Sequence, residues 1–178
     1  CSQSDLFHEA VPDEYIGKVW ESLHWGQTRH NHTFLLLTKR PERISKVLGP
    51  RGIGWYAVER PVAFPEQGIW LGVTVENRDT LWRLDSLRQA SAALRWVSFE
   101  PLLEDLGQVN LDGIGWAVVG CESGPNARPM QLDWVRSVRD QCVAAGVSFY
   151  FKQERPFQTR QTLVHLPYLD GRRWQEWP

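Results

Sequence analysis

Short apolar runs rich in β-branched and aromatic residues alternate along this chain with amphipathic stretches of helical spacing. This order is typical of parallel sheets, because each connection between parallel strands has to cross one face of the sheet. The runs are apolar enough to be covered on both faces, as parallel strands are. The predicted strands are residues 32–37, 69–75, 94–99, 114–119 and 147–151. The pattern therefore predicts an α/β fold, and we expect a further strand upstream of Cys1.

Helices are predicted between these strands. Pro12 and Pro41 each open a helix, since at that position the missing N–H of proline would have no intrahelical partner. Asn77 is placed to cap a third helix. A fourth helix is predicted over residues 132–145, with Gly146 as its stop.

The same rhythm limits the domain organisation. Successive strand–helix units form either an open sheet or a barrel, and the alternation of strands and helices is compatible with both architectures. Residues 49–67 interrupt it and are predicted to form an insertion loop or a small hairpin, while residues after Lys152 are predicted to be irregular. No linker divides the 178 residues, so we expect a single domain.

Composition excludes several classes of protein. With 42% hydrophobic and 23% charged residues, the chain is predicted to be globular. Its apolar runs are far shorter than the ~20 residues that cross a bilayer. A formal net charge of -1 argues against nucleic-acid binding that is driven mainly by electrostatic attraction to the phosphates. Three widely spaced cysteines predict a reducing cytoplasm, and neither they nor the histidines predict a metal site.

Polar residues follow almost every predicted strand. Because the carboxyl ends of parallel strands meet at one edge, where ligands bind, we expect these residues to form a ligand site. Acids and bases on such an edge would compensate one another or bind a polar, zwitterionic molecule. The set comprises Ser4, Asp5 and His8; Thr38, Lys39 and Arg40; Glu76 and Asn77; Glu100; Glu122 and Ser123; and Lys152 with Gln153.

Lys39, Glu100 and Glu122 are the candidates for catalysis within this set. A proline after Glu100 restricts it to extended geometry and so directs it to the edge. Glu122 stands in GCESGP, whose glycines permit close approach of the backbone to a ligand, or an unusual turn. Structural alternatives stay open for Asn77 as a helix cap and for Asp5 as an acceptor for turn amides.

Eight segments together resemble the phage and prophage proteins of domain-of-unknown-function family 5131, a radical-SAM-like family with a three-cysteine motif. The segments are SQSDLFHEAVP, FLLLTKRPER, IWLGVTVEN, VSFEPLL, VVGCESGPNARPM, DWVRSVRDQC, FYFKQ and LDGRRWQEWP. The resemblance implies a partial TIM-type barrel of about five to six β/α units. It also implies closely spaced cysteines upstream of Cys1 that ligate a 4Fe–4S cluster, whose open iron binds S-adenosylmethionine (SAM).

On this resemblance the chain takes part in SAM-dependent radical chemistry on an unknown substrate, either a small molecule or a modified base. Acidic groups would bind the cationic parts of SAM and substrate, and Lys39 or Arg128 the anionic parts. The binding candidates are Asp5, His8, Glu76, Asn77, Ser123, Arg128, Lys152 and Gln153. The cysteines of this chain do not match those of the cluster motif.

Two other functions stay open. One is a cluster-free (β/α) hydrolase or lyase that uses Glu100 and Glu122 as acid and base. The other is a non-catalytic partner or nucleic-acid module from a phage locus, against which the near-zero net charge counts. The residues do not indicate an oligomeric state.

Overall fold

The computed structural model describes residues 4–48, 67–155 and 163–178, and over these residues the chain is mixed α/β. Its helices are α1 (Asp13–His30), α2 (Pro41–Leu48), α3 (Trp82–Gln89) and α4 (Leu132–Ala145). The longer strands are β1 (Phe34–Thr38), β2 (Ile69–Thr74), β3 (Leu94–Phe99), β4 (Trp116–Gly120) and β5 (Ser148–Glu154). The short strands are β6 (Val164–His165), β7 (Tyr168–Leu169) and β8 (Arg172–Arg173). None of the helices in these ranges has both the length and the apolar character of a membrane span.

The predicted order of strands and helices is confirmed, with one correction near the end of the chain. The described residues after Lys152 are not irregular throughout, because β5 continues to Glu154 and the short strands β6, β7 and β8 follow. Strands of two residues are too short to give a periodic pattern, which explains why the sequence did not predict them. The insertion predicted at residues 49–67 lies almost entirely outside the described residues.

The chain divides into two compact units. The first consists of Cys1–Val73 and Arg83–Arg95, and the second of Thr74–Trp82 and Trp96–Pro178. In the first unit β1 pairs in parallel with β2, from Phe34 opposite Ile69 to Thr38 opposite Val73. A Cβ atom on Gly26 of α1 would lie 2.7 Å from the Phe34 ring, so the glycine lets α1 approach β1 closely.

In the second unit β3, β4 and β5 are parallel neighbours, and β6 pairs antiparallel with the end of β5. Helix α4 buries Val135, Val138 and Cys142, the face that its spacing predicts. The chain terminus covers the edge of β5, where Phe151 N donates to Trp174 O (2.9 Å) and Glu176 N donates to Phe149 O (3.1 Å).

The two faces of this parallel sheet differ in chemistry. Because alternate residues of a strand face opposite sides, the strand register separates two sets. One face carries Trp96, Ser98 and Glu100, then Trp116, Val118 and Gly120, then Tyr150. The opposite face carries only apolar residues, Val97, Phe99, Ala117, Val119, Phe149 and Phe151, all buried. Trp96, Ser98, Trp116 and Val118 of the first face are buried as well. The first face therefore has polar residues among its aromatic ones, and Glu100 stands on it directly after β3.

Gly146 ends α4 in the left-handed region, with φ +67°, and no atom lies within 4 Å of the place where a Cβ would stand. The cost of a side chain there is therefore conformational. We expect Gly146→Ala to lower the free energy of unfolding by about 1 kcal/mol, and Gly146→Asn by less, because asparagine tolerates this region better. Urea unfolding followed by circular dichroism measures both changes, and an alanine variant as stable as the parent would contradict this expectation.

Candidate functional site

The carboxylate of Asp5 is engaged within the first unit. Its Oδ1 accepts hydrogen bonds from Phe7 N (2.9 Å) and the Thr38 hydroxyl (2.7 Å). Its Oδ2 accepts from Lys39 N (2.8 Å) and lies 3.6 Å from Arg40 Nη1. Asp5 thus ties the first loop to the end of β1, which favours the structural alternative for this residue.

His8 and Lys39 lie beside the same loop. His8 Nδ1 accepts from Ala10 N (3.1 Å), and its carbonyl oxygen accepts from the Arg43 guanidinium of α2. Lys39 is exposed directly after β1. The structure therefore joins Asp5 and Lys39 through the Lys39 amide. That Lys39 shares a site with Glu100 and Glu122 stays a prediction.

Four charged residues of the second unit stand at the carboxyl ends of successive strands: Glu76, Glu100, Glu122 and Lys152, which we call the charged edge. Backbone hydrogen bonds hold the segments around them side by side. Leu103 N donates to Glu76 O (3.0 Å), Leu102 N to Gly120 O (3.0 Å) and Cys121 N to Gln153 O (3.1 Å). Glu76 is buried at this edge.

Glu100 and Lys152 form an ion pair across the end of β4. Lys152 Nζ donates to both carboxylate oxygens, at 3.0 Å to Oε1 and 2.9 Å to Oε2. The side chains are 18% exposed for Glu100 and 47% for Lys152. The structure therefore brings together two predicted site residues that lie 52 positions apart in the sequence.

A β-bulge at Lys152 accompanies this pair. Val119 of β4 pairs with Phe151, but the next residue, Gly120, pairs with Gln153, so Lys152 is the extra residue on β5. A Cβ on Gly120 would lie 3.0 Å from Gln153 Cγ and 3.1 Å from Glu100 Cδ. The missing side chain at Gly120 thus leaves the space in which Glu100 reaches Lys152.

Glu122 is paired with Arg128 in the loop after β4. One oxygen accepts from Arg128 N (2.7 Å) and Nε (2.9 Å), and the other accepts from Nη2 (2.6 Å). The side-chain hydrogen bonds from Arg128, followed by its backbone N–H, lower the pKa of Glu122 to about 2. Glu122 is therefore ionised at neutral pH, and two guanidinium donors and the backbone N–H of Arg128 are already used.

This pair predicts a pH dependence with a definite sign. The ordinary pKa of Glu122 is 4.5, and in the folded chain it is about 2. A carboxyl group with a lowered folded pKa contributes stability that is complete above its unfolded pKa and is lost as pH falls through the folded pKa. Because solvent screens so exposed a pair, we expect its contribution to the free energy of unfolding to be small and to fade below about pH 4.5.

Carbon-13 NMR of the Glu122 carboxyl group measures its titration directly. We expect a midpoint near pH 2 in the parent chain. In Arg128→Ala the midpoint should rise toward the ordinary value, because the guanidinium donors are gone. A parent Glu122 that already titrates at its ordinary value would contradict the bidentate pair.

Three further candidates differ in their surroundings. Gln153 is only 5% exposed, and its Nε2 donates to Cys121 O at 2.8 Å, so its amide faces the protein interior. Asn77 stands at the N-cap of a 3-10 turn over Arg78–Thr80, and its Oδ1 has no hydrogen-bond partner among the described residues. Ser123 is exposed in the loop after β4.

Cys121 and Cys142 are buried. Burial raises the pKa of both thiols, to about 12 for Cys142, so neither has the thiolate character of a nucleophile or metal ligand. Within residues 4–48, 67–155 and 163–178, no three or more histidine, cysteine, aspartate or glutamate side chains are grouped as a metal site would require.

The chain was compared with known families, curated proteins and solved structures. A family model described as "Protein of unknown function (DUF5131)" matches residues 1–178. No curated protein matches the chain, and no solved structure matches it. The match confirms that part of the resemblance which names domain-of-unknown-function family 5131. The chain therefore belongs to the DUF5131 family of proteins of unknown function.

Proposed function

We propose that the chain is part of a radical-SAM-like protein of phages and prophages that acts in the cytoplasm. Its activity is SAM-dependent radical chemistry on a small molecule or a modified base. In this proposal residues 1–178 are a single partial (β/α) TIM-type barrel domain. The observation that carries the proposal is the charged edge, where the ends of successive strands present Glu76, Glu100, Glu122 and Lys152.

The Glu100–Lys152 pair has the chemistry that a zwitterion requires. The methionine part of SAM carries an ammonium and a carboxylate group, which match Glu100 and Lys152 respectively. Because the two side chains neutralise each other, a zwitterion can exchange partners with them without leaving an uncompensated charge. Both are partly exposed, at 18% and 47%, so a ligand can reach them.

The described residues do not fit an iron–sulfur cluster. Cys121 and Cys142 are both buried, and no metal-binding group is formed in the described part of the chain. The proposal therefore assigns the cluster to cysteines upstream of Cys1 in the full protein. Such a cluster, once reduced by an external electron donor, would supply the electron that cleaves SAM to methionine and a carbon radical able to take hydrogen from a substrate. The residues of this chain bind and orient the ligands.

Acid–base catalysis by Glu100 and Glu122 is less well supported. A general acid has to be protonated near the working pH, whereas the pKa of Glu122 is about 2. Glu100 is held by Lys152 through both oxygens. These ion pairs favour ligand binding over proton transfer for both residues.

The described surface also gives little support for a nucleic-acid module. Several arginines of the second unit are already paired with acids: Arg128 with Glu122, Arg136 and Arg139 with Asp170, and Arg172 with Glu176. Such pairing lowers the positive potential that attracts phosphates.

The test uses the full-length protein that contains this chain, purified without oxygen and with its iron–sulfur cluster reconstituted. With SAM and a reductant, we expect formation of 5′-deoxyadenosine, measured by mass spectrometry and absent without reductant. Lys152→Met should reduce this product. The matched variant Lys18→Met, which removes an exposed lysine paired with Glu14 on α1, should not. Parent protein that neither binds nor cleaves SAM would overturn the proposal.

A further inference from the structure

Gln153 follows Lys152 on β5 and pairs with Gly120 at the end of β4. We propose that Gln153 is a positioning residue, which with the bare backbone of Gly120 holds the bulge that presents Lys152 to Glu100. The inference rests on the proposed function only in placing this pair at the ligand site. The bulge and its contacts are features of the second unit alone.

Gln153 is fixed to β4 by two hydrogen bonds with one residue. Its backbone carbonyl accepts from Cys121 N (3.1 Å), and its side-chain Nε2 donates to Cys121 O (2.8 Å). Gln153 is also 5% exposed, so water does not replace these bonds readily. The Gln153 side chain is therefore held in one place relative to the end of β4.

The position of Gln153 limits where Glu100 can lie. In a regular ladder Lys152 would pair with Gly120, and the Gln153 side chain would point to the other face of the sheet. Instead Gln153 pairs with Gly120. A Cβ atom added to Gly120 would lie 3.0 Å from Gln153 Cγ and 3.2 Å from Glu100 Cγ. The two side chains therefore approach each other over Gly120.

The consequence is a packed arrangement around Gly120. The stem of Gln153 occupies the space on one side, so the Glu100 side chain is confined beside it and its carboxylate reaches Lys152 Nζ. Bulges commonly re-aim a side chain in this way next to functional sites. Gln153 thus acts on the ligand site through Glu100 and Lys152, and its amide is not itself offered to a ligand.

Acylation of Lys152 measures this positioning without any activity assay. The chain has four lysines, Lys18, Lys39, Lys46 and Lys152, so mass spectrometry of peptides can follow each after brief treatment with acetic anhydride. An amine held by both oxygens of a carboxylate is less available to the reagent. We expect Glu100→Gln to raise the Lys152 rate about threefold relative to Lys46, the size expected for a partly exposed ion pair.

The Gln153→Ala variant should raise the Lys152 rate to a similar extent, because Glu100 is no longer confined. Gln141→Ala is the matched control: Gln141 Nε2 also donates to a backbone carbonyl, Gly107 O (3.0 Å), in the same unit. This control should leave the Lys152 rate unchanged. If Lys152 keeps its parent rate in Gln153→Ala while Glu100→Gln raises it, the positioning role is wrong.

A second variant covers the case in which Gln153→Ala does not fold. Gln153→Met keeps most of the side-chain volume but loses the N–H donor to Cys121, and it should also raise the Lys152 rate. A parent-like rate in Gln153→Met would equally overturn the inference. The proposed function is tested independently of the acylation rates. If Lys152→Met leaves SAM binding unchanged, the ligand site is assigned wrongly, even if the acylation rates change as expected.

Discussion

Replacing Phe149 with alanine is expected to lower the free energy of unfolding by about 3–5 kcal/mol. Phe149 is completely buried in the middle of the second unit. Its ring meets Trp174 edge to face, with the ring centroids 5.8 Å apart, so the substitution also weakens the attachment of the chain terminus. The loss combines the transfer free energy of the ring with the cost of the cavity left behind.

Chemical denaturation of the parent and variant measures this change. Tyr168→Ala is the matched control, because Tyr168 is an aromatic residue of the same unit that is 61% exposed. The control should change stability by no more than about 1 kcal/mol, the size of the exposed cation–π contact that Arg173 makes with the Tyr168 ring. Similar small losses in both variants would contradict the placement of Phe149 in the core.

Replacing Lys152 with methionine is expected to weaken SAM binding by the full-length protein about 10-fold to 100-fold. The substitution removes a hydrogen bond to a charged group, which contributes about 1.5–3 kcal/mol. It also leaves the Glu100 carboxylate without the ammonium that both of its oxygens now accept from. Equilibrium dialysis with radiolabelled SAM under anaerobic conditions measures the affinity.

Lys18→Met provides the comparison for this result. Lys18 also pairs with a glutamate, Glu14, but both side chains are more than half exposed on α1. We expect its SAM affinity to equal that of the parent, because exposed pairs on a helix contribute little and this one is not part of the charged edge. Equal weakening by both substitutions would point to a general charge effect instead of a site.

Much of the fold was predictable because its elements are periodic over many residues. The strand over residues 94–99 and the helix over residues 132–145 have the predicted bounds. The helix expected directly after Asn77 starts later, at Trp82. The Thr80 hydroxyl, which accepts from Glu76 N (3.1 Å) and Asn77 N (3.3 Å), forms a turn there that apolar spacing does not reveal.

The hydrogen bonds and ion pairs of the candidate site were less predictable than the identity of its residues. The sequence indicates which residues end the strands, since each follows an apolar run. The bulge at Lys152 depends on the register between β4 and β5, and a local pattern carries no information about that register. The Glu122–Arg128 pair depends on how a loop folds back over six positions. The glycine-flanked motif GCESGP is a sequence signal for the bulge, because the Glu100 and Gln153 side chains approach each other at Gly120.

Hydrogen–deuterium exchange with and without SAM tests most directly whether the charged edge is the ligand site. In the full-length protein we expect SAM to slow amide exchange at residues 76–77, 100–103, 120–123 and 152–153, which lie near the carboxyl ends of β2, β3, β4 and β5. Residues 114–116 and 148–149, at the opposite ends of β4 and β5, should exchange at the same rate in both states. Slower exchange confined to those opposite ends, or no change at the charged edge while SAM is bound, would contradict the proposed site.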